Sequence, residues 1–275
     1  MLNPIEVYYM ITINCNQMCS KCSHWKYPTF TQPRLGTDKI LRFLLSMPTC
    51  RDFTIVGGEP LLFKQEILQL LRGLKNSNIR TVIITNGYAL DKEFVDVVKN
   101  FNVHFVFSID TVNKDFWKFV RGCDSYEKVM QNFEYAFSQL TGWEISIQSV
   151  LAKETEPYMA GVKEYAAKHH VSHTIQDYIS EGFDGHWTPL ENKTANIPDT
   201  GQQCFAAERN ISILQDGSVM TCFQQNLICG CEKPLGNLHI DEADKIIHSE
   251  YAKFVIEQMK YCNKPCKILK CNLKK

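Results

Sequence analysis

The chain has no excess of either charge. Lys plus Arg and Asp plus Glu each total 30 among 275 residues, so no surplus of positive charge exists to neutralise a phosphate backbone, and nucleic acid is not an expected partner. No apolar run approaches the roughly 20 residues of a membrane span. The N-terminus, MLNPIEVYYMITINC, lacks the basic and long apolar regions of a secretory signal. These absences predict a cytoplasmic protein with no membrane partner. Internal repeats and low-complexity segments are missing too. Cysteine is abundant: there are 12 in a chain that is 44% hydrophobic. Without an export signal these thiols are expected to be reduced, and clustered reduced thiols usually bind metal or do chemistry.

The thiols fall into groups. Cys15, Cys19 and Cys22 form one; Cys204, Cys222, Cys229, Cys231, Cys262, Cys266 and Cys271 form another. Cys50 and Cys123 stand alone and read as small buried apolar residues. The first group lies in CNQMCSKCSHW, just after the apolar run EVYYMITI (6–13). Similar β-branched and aromatic runs recur as DFTIV (52–56), TVIIT (81–85), VHFVFSI (103–109), WEISIQSVL (143–151) and VSHTIQDY (171–178), predicting six strands. Helix-length segments lie between them: TDKILRFLLSM with Thr37 as N-cap, KQEILQLLRGLKN, DKEFVDVVKN capped by Asp91, SYEKVMQNFEYAFSQL capped by Ser125, and TEPYMAGVKEYAAKHH capped by Thr155. Such alternation gives a parallel α/β sheet, covered by helices or curled into a barrel.

Residues 181–203 carry Gly, Pro and Asn without periodicity and read as a linker between a domain at 1–180 and another at 204–275. In the second, RNISILQDGSVMTC holds two alternating runs around Asp216-Gly217, a hairpin signal. PLGNLHI adds a short strand, and DEADKIIHSEYAKFVIEQM reads as one amphipathic helix capped near Asp241. A β-hairpin-plus-helix unit of this size is expected to be stapled by metal.

In parallel α/β barrels, functional groups gather on the loops at the C-terminal ends of the strands. Four unusual peptides fall at such ends: CNQMCSKC after the first strand, GGEP (57–60) after the second, TNG (85–87) at the third and SID (108–110) at the fourth. Three cysteines on one loop leave a tetrahedral or cubane site one ligand short. Structural zinc normally takes four, whereas an iron-sulfur cluster on three thiolates keeps one iron open to a ligand. The glycines of GGEP permit close backbone approach to such a ligand, and the Glu59 carboxylate could meet an amino group.

The C-x3-C-x2-C loop, GGEP after the second strand and the βα order together resemble the radical S-adenosylmethionine (SAM) superfamily, over about residues 6–178. The resemblance implies a partial (βα)6 barrel and a 4Fe-4S cluster on Cys15, Cys19 and Cys22. The open iron of that cluster would chelate SAM, whose methionine end is lined by Gly57, Gly58 and Glu59. It further places Ser108 and Asp110 toward the ribose or methionine, Arg121 at the SAM carboxylate and Asn86 nearby. A flavodoxin- or ferredoxin-type electron donor is implied as well. One departure is Lys21, which stands where many members have an aromatic residue; His24 and Trp25 are the nearest aromatic groups.

The C-terminal cysteines resemble the SPASM and shorter twitch domains. By that resemblance Cys204, Cys222, Cys262 and Cys266 hold one auxiliary 4Fe-4S cluster, with Cys271 competing with Cys266 for the last place and structural zinc as the alternative. Cys229 and Cys231 could complete a ligand set, stay idle, or donate hydrogen to a substrate radical. The expected activity is a radical SAM oxidoreductase or maturase. It would generate a 5'-deoxyadenosyl radical that abstracts hydrogen from a peptide or small polar metabolite, with electron return through the auxiliary cluster. Alternatives are an epimerase using Cys229 or Cys231, an aminocyclitol or carbohydrate dehydrogenase, and a non-enzymatic iron-sulfur or zinc protein. The chain starts directly at its first strand, with no leader-peptide recognition domain before it, which weighs against a peptide. The ending KCNLKK lacks the Gly-rich tail of the molybdenum-cofactor cyclase, and that assignment is set aside.

Overall fold

The structure is a computed structural model and describes residues 4–26, 34–178, 186–190, 204, 208–223, 225 and 230–260. All six predicted strands form: β1 (Glu6–Thr12), β2 (Asp52–Gly57), β3 (Arg80–Thr85), β4 (Val103–Ser108), β5 (Ile145–Leu151) and β6 (Ser172–Asp177). They pair in parallel and in sequence order. The helices between them are α1 (Thr37–Leu45), α2 (Lys64–Leu74), α3 (Lys92–Val98), α4 (Lys114–Arg121), α5 (Tyr126–Gln139) and α6 (Met159–Lys168).

Sequential strand order has a consequence for the two faces. Each right-handed crossover between neighbouring parallel strands lays its helix on the same side, so among the described residues one face is covered and the other is left without helices. The covered face is the core. There Tyr9, Phe53, Phe105, Phe107 and Ile147 pack with Phe43, Leu70, Phe94 and Phe133 in one contiguous buried cluster. Phe107 and Phe133 stack at 4.2 Å. Strands β4 and β5 accordingly alternate between buried and half-buried residues. A parallel strand covered on both faces would be buried throughout.

The hairpin also forms, with β7 (Asn210–Ile213) antiparallel to β8 (Ser218–Met220). Gly217 takes φ 81° in its turn, a left-handed conformation natural to glycine. The hairpin does not stand apart as its own sheet. Strand β7 pairs in parallel with β1, and β8 with the short β9 (Gly236–Asn237) completes a nine-stranded sheet. Ile211, Ile213 and Val219 join the same apolar core.

The single C-terminal helix expected from the sequence is two, α7 (Ala243–Ile247) and α8 (Glu250–Lys260). Ser249 makes the break: its hydroxyl accepts from the Ala252 amide at 3.0 Å, an N-cap for the second helix. Asp241, the expected cap, instead accepts from the Asn237 amide at 2.8 Å. Thr37 lies inside α1, whose N-cap position is Gly36. Asp91 caps α3 as expected, accepting from Phe94 N at 2.8 Å. Ser125 and Thr155 occupy N-cap positions but make no capping bond. The Ser125 hydroxyl accepts from Trp117 and Gln17 instead. Among the described residues no helix is long and apolar enough to cross a membrane.

Candidate functional site

The C-terminal ends of β1 to β4 bring the four sequence-predicted peptides to one rim. The β1–β2 ladder skips a residue between Met10 and Thr12, and the chain then enters the cysteine loop. GGEP is bonded to the start of that loop by backbone alone. Gly58 N donates to Thr12 O at 2.8 Å and Glu59 N to Asn14 O at 2.9 Å. A Cβ on Gly57 would sit 2.1 Å from Thr12 O, and one on Gly58 would sit 2.1 Å from Asn14 O. The close approach that the glycines permit is thus made to the backbone leading into Cys15.

Glu59 is fully buried. Its carboxylate accepts from Leu61 N (2.9 Å), Thr85 Oγ1 (2.7 Å) and Asn86 N (2.8 Å). Burial raises the Glu59 carboxyl above its ordinary range despite these donors. This locks the ends of β2 and β3 together. Asn86 then reaches back to the loop, donating to Asn16 Oδ1 at 2.9 Å and lying 3.6 Å from Cys15 Sγ.

The second half of the rim is charged and buried. Asp110 is fully buried and accepts from Lys21 Nζ at 2.6 and 2.7 Å and from Val150 N at 2.8 Å. Arg121, from the end of α4, lies 3.2 Å from the same carboxylate. Burial alone would raise the Asp110 carboxyl, but Lys21 and Arg121 outweigh it and hold it below the ordinary range. Arg121 also donates to Ser108 O and lies 3.9 Å from Cys19 Sγ, and its Nε is buried without a hydrogen-bond partner. Lys21, a departure in the sequence, therefore supplies a counter-charge from inside the cysteine loop. Ser108 itself is half-buried at the end of β4.

Two further residues, Gln17 and Trp187, tie the cysteine loop to its surroundings. Gln17 is buried between Cys19 Sγ (3.7 Å) and Ser125 Oγ (3.3 Å), tying the loop to α5. Trp187 donates to Ser20 Oγ at 2.7 Å, and His186 N donates to Ser20 O at 2.9 Å. The Lys21 ammonium lies 5.3 Å from the Trp187 ring centre. Residues 186–190 thus lie against the cysteine loop. On its outer side Trp25 donates to Cys19 O at 3.1 Å, and Met18 and Trp25 are exposed.

The donor set fits a cluster. Cys19 is buried, while Cys15 and Cys22 are half-buried. Burial first, and then the neighbouring Cys19, Glu59 and Cys22, push the Cys15 thiol up to about 12. A bound iron-sulfur group would relieve that cost by taking the thiolates as ligands. The unpartnered Arg121 Nε beside Cys19 is a donor still awaiting an acceptor. Among the described residues no three His, Cys, Asp or Glu side chains converge as closely as a single metal ion requires; thiolates on separate corners of a cubane lie farther apart than ligands of one ion. The model of the radical SAM superfamily matches residues 9–164, more than half of the chain.

The chain belongs to the radical SAM superfamily. A GTP 3',8-cyclase of Mannheimia succiniciproducens is 30% identical over 163 residues, 54% of this chain and 46% of that protein. An S-adenosylmethionine-dependent nucleotide dehydratase of Fibrobacter sp. is 26% identical over 165 residues, 54% and 48% of the two chains. The chain spans about half the length of these curated relatives. Among solved structures, SuiB of Streptococcus suis bound to S-adenosylmethionine gives a TM-score of 0.76 at 15% identity, covering 96% of this chain and 73% of that one. This likeness is one of fold: mixed α/β with a parallel sheet, as expected for a radical SAM partial barrel.

The C-terminal cysteines are only partly placed. Cys204 and Cys222 pack, half-buried, against the core, and Cys231 is fully buried within it. Cys229, Cys262, Cys266 and Cys271 lie outside the described residues. Cys50 is buried as expected, whereas Cys123 is only half-buried and its thiol donates to Ser125 Oγ at 3.4 Å.

Proposed function

We propose that Cys15, Cys19 and Cys22 hold a 4Fe-4S cluster whose open iron binds SAM, and that the chain uses them to abstract hydrogen from a peptide or small polar metabolite. When bound, these cofactors supply one-electron cleavage of the SAM sulfonium and hydrogen-atom abstraction. The protein's part is to hold and enclose them. Gly57 and Gly58 keep the loop in register, and Glu59 fixes the ends of β2 and β3. Asn86 offers a donor to Cys15, and the unpartnered Arg121 Nε would serve the SAM carboxylate. Ser108 and Asp110 border the ribose or methionine end. The observation that carries this reading is the convergence of the three-cysteine loop with a buried Asp110, Lys21 and Arg121 array on one rim. Such a largely buried, charged site suits chemistry that must be kept from solvent.

We further assign one auxiliary 4Fe-4S cluster to Cys204, Cys222, Cys262 and Cys266, with Cys271 as competitor, and electron return through it. A flavodoxin- or ferredoxin-type protein would supply the reducing electron. Anaerobic reconstitution with iron and sulfide tests both assignments. About eight irons per chain are expected, falling to about four on replacing Cys15, Cys19 and Cys22 with alanine, together with loss of 5'-deoxyadenosine formation from SAM. A parent protein that binds zinc and leaves SAM intact would overturn the proposal.

A further inference from the structure

The helix-free face of the sheet has its own chemistry, set by strand register. Glu6, Asp52, Arg80 and Asn210 align across the N-terminal ends of their strands, where Arg80 and Asp52 pair at 2.8 Å. Toward the rim, Met10 aligns with Val56 and Ile84 with Val106. These four are only half-buried, so apolar surface is left open in the middle of a sheet, where a structural core would close it. On the far side Ser108 aligns with Gln148, and Val150 with Gln176. Gln148 Nε2 donates to Gln176 Oε1 at 2.8 Å.

That face carries no uncommitted cation among the described residues. Arg80 belongs to Asp52 and Lys21 to Asp110, and Arg121 is paired with Asp110 and keeps only its Nε, the donor assigned above to the SAM carboxylate. A phosphorylated substrate brings several negative charges, and enclosing them without Arg or Lys partners is costly. The glutamine pair offers the opposite chemistry. Each carboxamide has donors and an acceptor, and their mutual bond leaves the Gln148 oxygen and the Gln176 nitrogen unspent. That is the complement of an amide.

We infer that the substrate group entering the barrel is a neutral amide, read by the Gln148–Gln176 pair over the apolar floor of Met10, Val56, Ile84 and Val106, and not a nucleoside phosphate. This rests on the proposed radical SAM reading and narrows its substrate class. The amide can belong to a peptide or to a free small carboxamide, and the test separates the two.

Anaerobically reconstituted protein with SAM is dialysed to equilibrium against three labelled probes at millimolar concentration: a pool of N-acetylated, C-amidated tetrapeptides, a pool of small carboxamides, and GTP. Retention of either amide pool, with GTP not retained, is the expected result; the pool retained identifies the source. Gln148→Leu and Gln176→Leu are each expected to weaken that retention about tenfold, one lost hydrogen bond's worth, while melting temperature and iron content stay at parental values. GTP retained above both pools overturns the inference. So does failure to retain either pool, or unchanged retention in both variants. Cleavage of SAM by a protein that fails this test would leave the radical reading standing and sink only the amide assignment.

Discussion

Replacing Asp110 with asparagine removes the one carboxylate that two cations share. Asp110 is fully buried, the Arg121 side chain is 2% exposed and that of Lys21 is 17% exposed, so solvent can do little to compensate. Breaking a buried ion pair by deleting one partner typically costs about 3–5 kcal/mol, because the surviving charge stays buried without a counter-ion. At about 2–4 °C per kcal/mol for chains near this size, melting should fall by roughly 6–20 °C. Lys21→Met is milder, because Arg121 and the Val150 amide remain on the carboxylate; about 1.5–3 kcal/mol is expected for losing a hydrogen bond to a charged group. The two changes should be strongly non-additive, since the second removes a cation that the first has stranded. The assay is calorimetric melting of the iron-free protein under anaerobic reducing conditions, which keeps cluster loss out of the comparison. A melting point for Asp110→Asn within about 2 °C of the parent, or additivity within about 0.5 kcal/mol in the double variant, would refute the buried-array argument.

Other outcomes follow from single contacts. Gly58→Ala puts a methyl 2.1 Å from Asn14 O, so the cysteine loop must shift; iron uptake on reconstitution should drop sharply while the far-ultraviolet circular dichroism stays unchanged. Trp187→Phe removes the 2.7 Å bond to Ser20 and should cost about 1 kcal/mol in urea unfolding; an unchanged midpoint would argue that residues 186–190 do not brace the loop. The Cys50 thiol is pushed up to about 12, chiefly by burial. At pH 8 it should therefore resist alkylation in the native protein and react once unfolded. Because the folded state holds this proton longer than the unfolded one, its contribution to stability is complete below about pH 9 and declines toward pH 12, by at most about 1.4 kcal/mol per pH unit. Cys50→Ala should flatten that part of the pH profile.

Local chemistry made much of the scaffold legible in the sequence. Each of the six barrel strands lies within a residue or two of its β-branched run, because alternation and bounding turns are properties of short segments. The C-x3-C-x2-C loop and GGEP were legible for the same reason, as was the hairpin at Asp216-Gly217. The sequence misjudged the C-terminal helix at Ser249, where a serine inside an amphipathic pattern begins a new cap. It also gave no sign that β7 would add to the edge of β1 and continue one sheet. No local pattern reports which edge a distant strand will meet.

The candidate site shows the same division at the level of side chains. Sequence spacing alone assembled three thiols on one loop and gave Lys21 only as an exception to a pattern. The partner that gives Lys21 its role, Asp110, is 89 residues away, and the Ser20–Trp187 contact spans 167. Residue types and local order were written in the chain. Pairing the buried charges required the parallel sheet, because only adjacent strand ends bring groups so far apart in sequence within hydrogen-bond reach.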